Sequence, residues 1–220
     1  MGEAAMVLTL DQVSLSLHGR MLIQPFCLDI PAGGIVTLMG PSGVGKSSLL
    51  SFIAGDLEPP FSATGSITLD GRPLDDLSPE SRRIGRLFQD DLLFPHLTVG
   101  ENLLFGMPRG PKSAREAAMR AALSGAGLDG FAGRAPHTLS GGQRSRVALM
   151  RALLAQPGAM LLDEPFNKLD RDLRSAMRQF VFDHLRDRGI PCLMVTHDRD
   201  DVPDGGRILE LTSSGEVIDA

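Results

Sequence analysis

Apolar and polar positions alternate at the start of the chain. Val7-Leu8-Thr9-Leu10, Val13-Ser14-Leu15-Ser16-Leu17 and Phe26-Cys27-Leu28-Asp29-Ile30 carry an apolar residue at nearly every second place, between polar or turn-forming neighbours. Successive side chains of a strand point to opposite faces, so this period predicts an antiparallel β layer. The run Ile35-Val36-Thr37-Leu38-Met39 breaks the alternation. It is mostly apolar and β-branched and ends on a glycine-rich loop, as a strand covered on both faces does. A helix from about Ser47 to Ala54 is expected next. Gly65-Ser66-Ile67-Thr68-Leu69-Asp70-Gly71 then alternates again and closes on an Asp-Gly turn, which returns the chain to the β layer.

From about Gln89 the period lengthens to that of helices interrupted by Gly and Pro, including Ala114 to Leu123 and Arg144 to Leu154. Buried-strand runs return at Ala159-Met160-Leu161-Leu162 and Cys192-Leu193-Met194-Val195, and the helical stretch from Asp172 to Arg188 between them suits a right-handed crossover. Arg207-Ile208-Leu209-Glu210-Leu211 and Glu216-Val217-Ile218 predict a closing hairpin around Ser213-Ser214-Gly215. The fold class is therefore α/β: a parallel-sheet core, an antiparallel β layer and an inserted α-helical lobe. One domain is expected over 1–220, with the core and β layer in 1–88 and 156–220 and the lobe in 89–155.

Composition narrows the function classes. With 42% hydrophobic and 22% charged residues in 220, the chain reads as a globular domain. No stretch approaches the roughly 18 consecutive apolar residues of a membrane span. The opening Met1–Met6 has no basic segment followed by an apolar one, and Met6 stands where a myristoylation signal wants Ser or Thr, so any membrane link is expected through a partner. A net charge of -5 argues against general attraction to nucleic acid, and none is expected as a partner. Cys27 and Cys192 lie far apart in apolar segments and are expected to be reduced core residues.

The chemistry begins at Gly40-Pro41-Ser42-Gly43-Val44-Gly45-Lys46-Ser47, which matches G-x-x-x-x-G-K-[ST] between a predicted strand and a predicted helix. Glycines let a backbone wrap an anion, the amides of the loop and helix start face phosphates, Lys46 offers a charge to the outer ones, and Ser47 offers a hydroxyl to Mg²⁺. Ser48 follows in the same turn. Met160-Leu161-Leu162-Asp163-Glu164 ends a buried strand on two carboxylates, placing Asp163 to bind Mg²⁺ directly or through water and Glu164 to polarise a water. Asn167-Lys168-Leu169-Asp170 spells N-K-x-D, with which GTPases read guanine. The chain has no D-x-x-G to accompany it, and the tetrapeptide follows almost directly on the acidic pair.

Leu139-Ser140-Gly141-Gly142-Gln143 precedes a predicted helix. Taken alone, S-x-x-Q is a capping box. Two adjacent glycines at a helix start instead make sense if a phosphate approaches the amides closely. One nucleotide is already cradled by the first loop, so this second element implies a head-to-tail dimer in which Ser140, Gly141, Gly142 and Gln143 close over the partner's nucleotide.

In this order the motifs resemble the ABC transporter ATPase family over nearly the whole chain. Gly40 to Ser47 correspond to Walker A, Gln89 to the Q-loop, Leu139 to Gln143 to the signature, Asp163-Glu164 to Walker B, Asn167 to Asp170 to the D-loop and His197 to the switch histidine. The resemblance implies a P-loop NTPase (RecA-like) core that binds ATP and Mg²⁺. It implies Glu164, His197 and Gln89 as catalytic groups, Gln89 as a further Mg²⁺ sensor, and Asp170 as the residue communicating across the dimer. Phe94-Pro95-His96-Leu97-Thr98-Val99-Gly100-Glu101-Asn102 and Asp163-Glu164-Pro165-Phe166 are similar to binding-protein-dependent importers, and the chain resembles short ATPases of the thiamine-importer kind and a related, poorly characterised group. The partners so implied are integral membrane permease subunits and a substrate-binding protein, with the chain peripheral on the cytoplasmic face of the inner (cell) membrane. Part of the cluster Leu92, Leu93, Phe94, Pro95 and Phe105 would line a groove for a helix of the permease.

Two positions depart from the family. Asn167 stands where importers usually carry Ser. The chain also has no Tyr or Trp, so Leu17 or His18 occupies the stretch where an aromatic residue usually stacks on the base. The alternative function is a soluble ABC ATPase acting on ribosomes or DNA. Such relatives generally carry two cassettes or a long coiled-coil insertion, and neither is present here.

Overall fold

A computed structural model describes residues 6–220, the side chain of Asp172 excepted; Met1–Ala5, most of the opening stretch without a leader pattern, lies outside the described residues. The chain divides into two units: Met1–Arg86, Gly158–Glu164 and Leu185–Ala220 form one, and Leu87–Pro157 with Pro165–His184 the other. Among the described residues no helix is long and apolar enough to cross a membrane.

In the first unit the elements are β1 (Leu8–Leu17), β2 (Arg20–Ile30), β3 (Ile35–Met39), α1 (Lys46–Ala54), β4 (Phe61–Leu69), β5 (Arg72–Pro73), most of β6 (Ile84–Leu87), β7 (Ala159–Asp163), β8 (Cys192–Val195), β9 (Arg207–Leu211) and β10 (Val217–Asp219). They form a four-stranded sheet in the order β2-β1-β4-β5 and a six-stranded sheet in the order β10-β9-β3-β8-β7-β6. The first sheet is antiparallel, as the alternation predicts. In the second, β3 runs parallel to both β8 and β9, and β7 runs parallel to β8. All five residues of β7 and all four of β8 are buried, which is why their sequences are continuously apolar up to Asp163.

The runs at Val7 and Val13 belong to one strand rather than two. The register of β1 shifts between Leu10 and Val13 against β2, and Gln12 takes φ 50°. This bulge inserts an extra residue and resets the period, so Leu8, Leu10, Val13 and Leu15 all reach the core. The alternation of β2 corrects a second expectation. Ile23, Leu28 and Ile30 face inward, and Cys27 is exposed rather than buried. Its Sγ donates to Asp11 Oδ1 at 3.3 Å and accepts from Gln12 Nε2 at 3.2 Å. Cys192 is buried as expected, and burial raises its pKa.

Helix α1 packs Leu49, Leu50 and Ile53 into the core and ends at Gly55, whose N–H returns to Ser51 O. Arg82 Nη1 donates to the last carbonyls, Phe52 O and Ile53 O, at 3.0 Å each. Strand β6, at the sheet edge, has no counterpart in the sequence reading: its four residues include a glycine and Arg86. The Arg86 guanidinium holds both Asp56 oxygens, at 2.6 and 2.8 Å.

The second unit is built from α2 (Val99–Gly106), α3 (Lys112–Gly125), α4 (Gly141–Leu154) and most of α5 (Arg171–Asp187). Helix α4 is central, with Val147, Ala148, Leu149, Met150 and Leu153 buried. Helix α2, left unassigned within the helical region by sequence, starts on a capping box: Glu101 N donates to Thr98 Oγ1 at 3.3 Å and Thr98 N to Glu101 Oε2 at 2.7 Å. The unit also takes in 165–184, which the sequence reading assigns to the core. Phe166 and Phe182 stack edge to face at 6.0 Å there, and the Phe180 ring covers Gly125 at the end of α3.

Candidate functional site

Strand β3 delivers the loop Gly40–Gly45 to the start of α1. Gly40 has φ 144°, and a Cβ on it would collide with the carbonyl of Leu211, so no other residue fits the turn. The loop carbonyls hold the lysine: Lys46 Nζ donates to Gly40 O and Pro41 O, both at 2.7 Å. Lys46 is only 9% exposed, and burial lowers its pKa against the opposing pull of Glu164 and Asp163. Helix α1 begins with no side-chain cap and no acidic residue in its first turn. Its first amides therefore have no acceptor of their own side-chain kind, which suits an anion. Ser47 and Ser48 sit half-buried in that turn.

At the end of β7, Asp163 is buried and Glu164 half-buried. Glu164 takes φ 50°, a left-handed conformation that costs a non-glycine residue about 1 to 3 kcal/mol. It is fixed there by its N–H, which donates to Val195 O at 2.9 Å. The turn aims its carboxylate at the end of β8, where Oε1 lies 2.8 Å from His197 Nδ1 and Oε2 3.4 Å from Thr196 Oγ1. Thr196 Oγ1 is nearer to Asp201 Oδ2, at 3.1 Å, and accepts from Asp198 N at 3.1 Å. This unit thus brings together Lys46, Asp163, Glu164 and His197. Sequence reasoning missed Thr196 and the buried Asp201, because a Thr before the histidine and an Asp in an acidic turn carry no motif of their own.

The donor set suits Mg²⁺. Ser47 offers a hydroxyl and Asp163 a carboxylate, two hard oxygens of the number this ion takes from protein when phosphates and water complete its shell. Leu17 is half-buried at the end of β1, and exposed His18 turns the hairpin at φ 50° with its N–H 3.4 Å from Pro60 O.

In the helical unit Ser140 caps α4, and the capping box forms: Gln143 N donates to Ser140 Oγ at 3.3 Å and Ser140 N to Gln143 Oε1 at 2.9 Å. The two glycines differ. A Cβ on Gly142 would lie 2.8 Å from Lys168 O, whereas one on Gly141 meets nothing nearer than Arg144 Nη2 at 3.9 Å. Gly142 therefore has a local reason to be glycine in the approach of the segment 167–170, and Gly141 has none. Asp170 is exposed and raises the pKa of Arg146, which burial lowers more strongly. Gln89 is exposed in this unit, and so are Leu92 at 56% and Phe105 at 68%, with the rings of Phe94 and Phe105 4.6 Å apart.

A family model described as ABC transporter matches residues 23–167. The chain belongs to this family and is an ATP-binding ATPase. It is 48% identical over 211 residues to the uncharacterized ABC transporter ATP-binding protein YnjD of Escherichia coli (strain K12), covering 96% of this chain and 97% of that one. It is 43% identical over 197 residues to the thiamine import ATP-binding protein ThiQ of Vibrio vulnificus, covering 89% and 82%. Among solved structures it resembles the dimeric post-hydrolysis state of the ATP-binding cassette MJ0796 bound to ADP and Pi, with TM-score 0.83, 32% identity and 97% of each chain covered.

Proposed function

We propose that two copies of this chain close head to tail around two ATP molecules and drive an importer. Ser140, Gly141, Gly142 and Gln143 of each copy face the nucleotide held by Gly40–Ser48 of the other, and Asp170 relays across the pair. Glu164 accepts the proton of the attacking water, and His197 steadies Glu164 and the outer phosphate. Mg²⁺, when bound, neutralises phosphate charge; Ser47 and Asp163 are its protein oxygens, with Gln89 reading the metal and the water. The permease docks at Leu92, Phe94 and Phe105, a substrate-binding protein supplies the cargo, and the complex sits on the cytoplasmic face of the cell membrane.

The observation that carries this reading is the pair of helix starts. That of α1 lacks any side-chain acceptor, and that of α4 leaves open space at Gly141. The dimeric MJ0796 cassette and the thiamine-import relative support the rest. Affinity purification of the tagged chain from detergent-solubilised membranes tests it. Co-purification of an integral membrane protein is expected; recovery of ribosomal or DNA partners instead would overturn the reading.

A further inference from the structure

In the segment Gln89–Phe94 the residues Gln89, Asp90 and Leu92 are exposed, yet the segment is tied to the rest of the helical unit. Arg151 donates to Leu92 O at 2.9 Å and Asp91 O at 3.4 Å, and Asn102 satisfies both the N–H and the C=O of Phe94. The Asp91 side chain, 13% exposed, accepts from Ser145 Oγ at 2.6 Å and meets Arg144 Nε at 3.3 Å. Those ties all come from α2 and α4. One residue outside these helices joins them: Lys168 Nζ donates to Gln89 O at 2.6 Å and lies 3.6 Å from Asp91 Oδ1. The carbonyl of Lys168 itself rests against Gly142.

Lys168 thus joins two segments through three contacts. Its ammonium fixes the backbone of Gln89 and faces Asp91, and its carbonyl packs on the start of α4. We infer that Lys168 is a positioning residue for ATP hydrolysis, coupling the place of Gln89 to that of the signature glycines. The inference rests on the proposed role of Gln89 toward the metal and water. A surface lysine pairing with one carboxylate would contribute little. Here the shorter contact is to a neutral carbonyl, which fixes where the Gln89 backbone lies rather than balancing charge. Misplacing a reacting group by an ångström can slow a reaction about a hundredfold without loosening ligand binding.

The test is steady-state ATPase kinetics of the full chain. Lys168→Met is expected to lower kcat about tenfold while KM stays within about twofold, because an interaction that positions chemistry acts on turnover. Lys168→Arg, which keeps the donor and the charge, is expected to recover most of the rate. Asp91→Asn is expected to lower kcat alone and to add little on top of Lys168→Met, as coupled residues do. A wild-type kcat in Lys168→Met, a rise in KM with kcat kept, an arginine variant no better than methionine, or additive losses would each overturn the inference. Gln89→Ala is measured alongside. If it is slow while Lys168→Met is not, only the role of Lys168 falls; if it turns over normally, the reading of Gln89 falls and takes this inference with it.

Discussion

His197 Nδ1 and Glu164 Oε1 are 2.8 Å apart, with Glu164 held in a left-handed turn that points its carboxylate at the end of β8. A carboxylate placed this way can take a proton from water, and an amide cannot. Glu164→Gln is therefore expected to bind ATP and to hydrolyse it at least about a hundredfold more slowly. It should accumulate a nucleotide-bound dimer, seen by size-exclusion chromatography with ATP and Mg²⁺. Turnover at the wild-type rate would remove Glu164 from the role of base.

Lys46 gives a pH dependence. Burial holds its pKa below the ordinary lysine value, so the folded chain releases this proton at a lower pH than the unfolded chain. Between the two values the unfolded state binds more protons, and stability rises with pH. Attraction for phosphate needs the ammonium and falls over the same range. As pH is raised toward the lysine range, calorimetry should show weakening ATP affinity, while thermal melts show a stability gain that Lys46→Met lacks. ATP affinity that stays flat until ordinary lysines titrate would contradict this.

The two signature glycines should separate stability from assembly. Gly142→Ala drives a Cβ against Lys168 O and is expected to cost about 1 to 3 kcal/mol, read as a lower denaturation midpoint. Gly141→Ala has room and should unfold within about 1 kcal/mol of wild type. Analytical ultracentrifugation should nevertheless show weakened ATP-dependent dimerisation in Gly141→Ala, and none in Ser140→Arg, both with single-chain ATP binding kept. Loss of ATP binding by monomeric Ser140→Arg would count against the head-to-tail arrangement.

Base recognition is a further site property open to substitution. Stacking on an aromatic ring contributes about 1 to 3 kcal/mol in single-stranded nucleic-acid sites, and the hairpin tip here offers Leu17 and His18 instead. ATP and GTP are expected to compete almost equally, and Leu17→Tyr to favour ATP. A strong ATP preference in wild type that disappears in His18→Ala would show the histidine doing the stacking.

Much of this was legible in the chain itself, for physical reasons. β3, β7 and β8 are buried on both faces, so their apolar runs stand out, and the glycine-rich loop between β3 and α1 is written in contiguous residues. β1 was harder: a bulge at Gln12 shifts the period by one, and a simple alternation count divides it in two. β6 was hidden because Arg86 is neutralised by Asp56, a partner 30 residues away that no local pattern announces. The same holds for the acidic hub at Asp91 and for Thr196 and Asp201, whose meaning lies in neighbours brought by folding. The capping box at Ser140 forms as the simple reading has it, alongside the open space at Gly141.

The outward turn of Cys27 has a practical side. A thiol-selective dye can reach it on the outer face of the β layer, whereas Cys192 is enclosed and its thiolate suppressed by burial. The natural sequence therefore carries one addressable labelling position, and energy transfer between two labelled copies could report their approach without any engineered cysteine.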